Sequence, residues 1–291
     1  MARPSYCGSG RIIPSYPRKA ALIRSILLFA IFLGSASVAA AGSVCTLVTD
    51  ARTGGPLVQT GDCATRVTPA STFKVALAVM GFDAGLLTDA HHPVLSFRKG
   101  DPDWGGADWT RDTDPERWIR YSVIWYSQRL AHELGAETLT RYATALNYGN
   151  ADFAGDAGKD NGLDRAWISS SLKISPLEQA AFLRGLVLST LPVKASAMAD
   201  ARALVESQTV DGWVLKGKTG TAYPRLAGGG FDYAHGWGWY VGWAERGTDT
   251  LVFVTLIKGE ERARQSPGIL ARDRVLAQWP ALSELALHAA R

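Results

Sequence analysis

Three cysteines, three methionines and five histidines in 291 residues leave little material for several common chemistries. The histidines include one adjacent pair, His91 and His92, with no third histidine or acid at metal-ligand spacing, so a zinc hydrolase is disfavoured. No internal repeat or low-complexity tract occurs, which argues against solenoids and disordered arrays. The first 41 residues lack acids altogether and carry Arg3, Arg11, Arg18, Lys19 and Arg24, then "SILLFAIFLGSASVAAA". Its unbroken apolar core, Ile26 to Leu33, is well short of the roughly 20 residues of a spanning helix, so no membrane anchor is expected. A basic start, a short apolar core and the small residues Ala39-Ala40-Ala41 predict a secretory signal cleaved after Ala41, leaving residues 42 to 291 as the exported domain. Its five cationic residues exceed the +4 net charge of the whole chain, so the remainder is slightly acidic and nothing points to nucleic acid.

What is present is a 47% hydrophobic chain, enough for one large globular domain or two closely packed lobes, with a monomer as the default. Cys7 leaves with the leader, and Cys45 and Cys63 remain as an even pair. Between them "TLVTDARTGGPLVQTGD" has two β-rich runs around a Gly-Gly turn, so a hairpin would bring the two cysteines together and a disulfide is expected. Three more strands are predicted in "GWVLKGKTGTAY", "GWGWYVGWAE" and "TLVFVTLIK", and a terminal helix at about 268 to 288. In the middle, Ser175-Pro176 with Glu178 gives a capping box and a proline in the first helical turn. The expected fold is α+β: one antiparallel sheet of about five strands built from both chain ends, with flanking helices and a helical lobe inserted between the second and third strands.

Within "TPASTFKVALAVMG", residues 68 to 81, Lys74 stands in an apolar run without an acid partner. Thr68 as cap and Pro69 at the first helical position predict a helix there, apolar on all sides and therefore buried. Ser71 and Lys74, three apart, would share one face near its N-terminus. S-x-x-K alone is a weak signal. It is followed in order by "YSVIW" with Ser122, "YGN" from Tyr148 to Asn150, and "KTGT" from Lys218, the parts of a penicillin-recognising serine acyl enzyme in sequence.

Taken together, "PASTFK", "SVI", "YGN", "AWISSSLKISPLEQ", "KTG" and "GWYVGW" resemble the class D (oxacillin-hydrolysing) serine β-lactamases from about Cys45 to Trp279. The resemblance implies the penicillin-binding-protein/β-lactamase fold, a periplasmic site of action, and hydrolysis of β-lactam antibiotics without a metal. Other members of the wider group end the second motif in Asn, whereas Ile124 stands there here beside Val123, and no class A "ExxLN" glutamate is found. A lysine buried among such groups loses hydration and populates its neutral amine. The resemblance implies that this amine takes up carbon dioxide, making carboxylated Lys74 the general base for Ser71, with Trp167 donating its indole N–H to it. By the same matching, the backbone N–H groups of Ser71 and Thr221 form the oxyanion hole, Ser122 with Lys218 passes a proton to the leaving nitrogen, and Thr219 and Arg272 bind the substrate carboxylate. Tyr148, Asn150, Trp239, Tyr240 and Trp243 are read as structural. A penicillin-sensing receptor domain, which acylates and stops, and a cell-wall transpeptidase are the competing readings. The first needs further membrane segments, and the second is disfavoured by the apolar second motif.

Overall fold

A computed structural model of the chain describes residues 41–290. The leader assigned to 1–41 lies outside the described residues except for Ala41, which opens the first strand. The hairpin forms as β1 (Ala41–Asp50) and β2 (Pro56–Gly61). Helices α1 (Phe73–Asp83), α2 (Pro115–Arg120), α3 (Ile124–Ala145), α4 (Gly162–Arg165), α5 (Pro176–Val187) and α6 (Ala195–Leu204) follow. The chain then returns to the sheet as β3 (Ser207–Val210), β4 (Trp213–Ala222), β5 (Trp237–Arg246) and β6 (Asp249–Gly259), and ends in α7 (Pro267–Ala289). The sheet has six strands in the order β2-β1-β6-β5-β4-β3. The inserted lobe is where the sequence puts it, and the added strand is β3, whose four residues "SQTV" have no apolar run to betray them.

Alternation along the central strands assigns the two faces. On β5 and β6, Trp239, Val241, Trp243, Val252, Val254 and Leu256 join the core shared with the helical lobe. Tyr240, Ala244, Leu251, Phe253 and Ile257 point the other way, against Ala271, Val275 and Trp279 of α7. Trp239, Tyr240 and Trp243 are thus core residues, as expected. The α5 start forms its capping box as read, with the Ser175 side chain accepting from Glu178 N and the Glu178 carboxylate accepting from Ser175 N.

Cys45 and Cys63 form a disulfide with Cα atoms 5.1 Å apart, closing the hairpin across 18 residues. Removing a cross-link over a loop of that length should cost about 3 kcal/mol of stability by loop-closure entropy. Urea unfolding of a Cys45→Ser/Cys63→Ser variant, compared with the oxidised protein, checks this as a fall in midpoint with little change in slope.

Candidate active site

The helix that follows Ser71 begins differently from the sequence expectation. Ala70–Thr72 form a 3₁₀ turn that runs directly into α1, the helix N-cap is Thr72, and Thr68 makes no cap. Thr68 instead ties three segments together: its hydroxyl donates to Trp167 O (2.9 Å) and accepts from Ser169 N (3.0 Å), and its carbonyl accepts from Trp239 Nε1 (2.9 Å). The turn is fixed from inside as well, because the Thr72 hydroxyl donates to Pro69 O (2.7 Å) while accepting from buried Gln179 Nε2 of α5 (2.7 Å). Ser71 is therefore held by hydrogen bonds from two flanking elements.

Lys74 is 0% exposed, and its Nζ donates to Ser71 Oγ at 3.2 Å. Burial, and after it the positive charge of Lys218, hold its pKa well below the usual lysine range, which favours the neutral amine relative to an exposed lysine. The expected apolar surround is real: every α1 residue from Phe73 to Phe82 is buried. Trp167 is fully buried, with its ring 5.3 Å from that of Phe73, and its Nε1 has no hydrogen-bond partner.

The second dyad comes from the other lobe and the sheet. Lys218 Nζ, on β4, donates to Ser122 Oγ at 2.7 Å and to Thr219 O at 3.3 Å. Burial pushes its pKa down to about 8, against a smaller upward pull from Glu206. Ser122 is in the left-handed region (φ 57°), as are Ala70 (φ 52°) beside the nucleophile and Ser169 (φ 55°) across from it. Three non-glycine residues in that region around one cleft store strain of about 1–2 kcal/mol each, a pattern found at functional sites.

The glycine of the K-T-G segment brings the sheet up to the Ser71 turn. A Cβ on Gly220 would lie 2.9 Å from Pro69 O and 3.0 Å from Thr72 Cγ2, so only glycine lets β4 lie against the Ser71 turn. Gly220→Ala should force the two apart by a few tenths of an ångström. Because reaction rates fall steeply with misplacement, kcat/KM should drop about tenfold with far-ultraviolet circular dichroism unchanged.

Ser71, Ser122, Thr219 and Thr221 line one cleft of about 780 Å³ between β4 and the helical lobe. Ile124 is also on its wall and Val123 is fully buried behind it, so the second motif is as dry as the sequence implies. Among the described residues no group of three or more His, Cys, Asp or Glu side chains could hold a metal ion, and no helix is long and apolar enough to cross a membrane.

Residues 44–278 match the penicillin binding protein transpeptidase domain family. The β-lactamase OXA-9 of Klebsiella pneumoniae is 39% identical over 242 residues, which cover 82% of this chain and 87% of that one. OXA-1 of Escherichia coli is 38% identical over 194 residues, covering 65% and 69%. The crystal structure of the class D β-lactamase OXA-427 is 45% identical with a TM-score of 0.76, covering 83% of this chain and 99% of that one. The chain belongs to the class D serine β-lactamases.

Not every residue matched to this class D family is on the cleft. Arg272, expected at the substrate carboxylate, pairs with neighbouring Asp273 (Nη2 to Oδ1, 2.9 Å) and borders a hollow with Lys218 and Glu206 that adjoins the cleft through Thr219 and Ile269, which line both. Helix α7 starts at Pro267 and meets the cleft through Ser266 and Ile269. Ser266 is the N-cap of α7, yet its side chain makes no cap hydrogen bond. Sequence reasoning missed it, although Ser266-Pro267 repeats the Ser-Pro start that marks α5. Thr221 uses its hydroxyl to accept from Gly268 N (2.9 Å), tying β4 to the same helix start. Tyr148 is buried beside Phe73, and Asn150 spends its side chain on Ser171 O and Lys173 N, so both are structural.

Proposed function

We propose that this chain hydrolyses β-lactam antibiotics through an ester on Ser71 and confers resistance to them, as an exported periplasmic enzyme. The carrying observation is the fully buried, partner-poor Lys74 with its amine 3.2 Å from the Ser71 hydroxyl. Ser71 Oγ adds to the lactam carbonyl carbon, the ring C–N bond breaks, and the nitrogen leaves with a proton delivered through Ser122, which Lys218 holds by a 2.7 Å hydrogen bond. Water then adds to the ester carbon and Ser71 leaves with its proton restored. Preoriented backbone N–H groups of Ser71 and Thr221 are assigned to the oxyanion, by family matching.

The base is assigned to Lys74 carrying carbon dioxide. The residues fit that group: burial lowers the amine's pKa and so favours its neutral form, and the buried Trp167 Nε1 is a donor without an acceptor. A carbamate on Nζ, formed from the amine and carbon dioxide with loss of one proton, would supply a carboxylate-like base beside Ser71. Trp167 would hold it, and the apolar wall of Val123 and Phe73 would keep it from water. For the substrate carboxylate the cleft supports Thr219, Thr221 and Ser266, with the positive end of α7 behind them. Arg272, on the hollow that adjoins the cleft at Thr219 and Ile269, is assigned to the same carboxylate by family matching.

Steady-state turnover of a chromogenic cephalosporin tests the reading. Repeated turnover with loss in Ser71→Ala is the expected result. A single stoichiometric burst without turnover would instead identify a sensor-like acylating module, and no reaction would overturn the reading altogether.

A further inference from the structure

One cation on the cleft wall has no role in this chemistry. Arg165, the last residue of α4, is half-buried and lines the cleft near Ile168, Ser169 and Phe231. Its Nε is buried with no hydrogen-bond partner, and the contact recorded for its guanidinium is with the face of Phe231, 5.9 Å from the ring centroid. The neighbouring acids are engaged by others. Asp156 accepts from Ser170 Oγ (2.8 Å), Asn161 Nδ2 (3.1 Å) and Arg225 Nη2 (2.9 Å), and Asp164 is paired with His132 (3.0 Å). Burial, and then the charge of Arg225, lower the pKa of Arg165, against smaller upward pulls from Asp156 and Asp164.

A half-buried guanidinium on a cleft wall, whose neighbouring acids pair with other side chains, is suited to a carboxylate or sulfonate arriving in a ligand. In a penicillin the ring carboxylate and the acylamino side chain leave the bicycle at opposite ends. With the ring carboxylate assigned to Thr219, Thr221 and Ser266, the side chain would extend toward other parts of the cleft wall, which include Arg165, Ile168 and Phe231. We propose that Arg165 is a specificity-determining residue that reads the acyl side chain and favours β-lactams bearing an anionic group there. The inference rests on the β-lactam hydrolysis proposed above.

Two penicillins that differ by one carboxylate, benzylpenicillin and α-carboxybenzylpenicillin, isolate the effect. The readout is the ratio of their kcat/KM values in the wild type, Arg165→Gln and Arg165→Lys. Arg165→Gln should lower the ratio of anionic to neutral substrate about tenfold, as expected for loss of one charge-assisted contact, with benzylpenicillin little affected. Arg165→Lys should fall between, and added salt should erode the wild-type preference. An unchanged ratio in Arg165→Gln overturns the proposal. So does an equal loss on both substrates, which would put Arg165 on the shared ring carboxylate. If the wild type turns over neither penicillin, the hydrolysis reading fails and this inference with it, whereas normal benzylpenicillin turnover with an unchanged ratio sinks the inference alone.

Discussion

Lys74→Ala is expected to lower kcat/KM by about 10²- to 10⁴-fold, the range of a lost general base. The substitution takes away the amine beside Ser71 Oγ, and no histidine, glutamate or aspartate replaces it on the cleft wall. Both half-reactions need a proton moved at Ser71 Oγ, so acylation slows and any ester that forms persists; mass spectrometry after incubation with a penicillin should detect it. The wild type carries a second signature. Only the neutral amine takes up carbon dioxide, and burial lowers the Lys74 pKa, so the competent fraction is larger than for an exposed lysine and shrinks as pH falls. Activity should therefore decline on acidification and recover on addition of bicarbonate at fixed pH and ionic strength. Lys218, with its pKa near 8, adds an alkaline limb, because its ammonium is lost as pH rises through that value. Carbon-13 NMR with labelled bicarbonate reads the group directly: a carbamate resonance in the wild type, absent in Lys74→Ala. Bicarbonate-independent turnover without that resonance would leave Lys74 acting as a plain amine.

How far the sequence reaches is instructive residue by residue. The S-x-x-K pair is local, and helical spacing alone brings Lys74 Nζ to Ser71 Oγ, even though the serine is in a 3₁₀ turn rather than the first turn of the helix. Ser122 and Lys218 are 96 residues apart and nothing local joins them; motif order carried that pairing. The Cys45–Cys63 bond was legible because a hairpin has a fixed register. What escaped depends on tertiary convergence. That Ser266 reaches the cleft is decided by where α7 starts relative to β4, which residue names do not encode. Exposed Trp104 and half-buried Arg165 are on the same cleft wall because long loops fold over it, and neither has a periodic neighbour to mark it.

Trp167→Phe is expected to move activity and stability in opposite directions. The indole Nε1 is buried without a partner in the structure with an unmodified lysine, a condition that costs about 1–3 kcal/mol. Phenylalanine keeps an aromatic ring against Phe73, 5.3 Å away in the wild type, and removes the unsatisfied donor. In bicarbonate-free buffer the variant should then unfold at the same temperature as the wild type or slightly above it, the smaller ring's cavity offsetting part of the gain. With bicarbonate the order should reverse. The wild type gains the hydrogen bond between Nε1 and the carbamate and is stabilised by binding linkage, while the variant gains less. The same 1–3 kcal/mol corresponds to a roughly ten- to hundredfold weaker hold on carbon dioxide, read as a proportionally higher bicarbonate concentration for half-maximal turnover. Trp213 and Trp279 also carry buried, unpartnered indole nitrogens, but their rings meet each other edge to face under α7 on the opposite face of the sheet. Trp279→Phe is thus the internal control: it should shift stability without moving the bicarbonate midpoint. If Trp167→Phe leaves that midpoint unchanged, the orphaned indole is a packing feature like theirs and Trp167 has no part in holding the base.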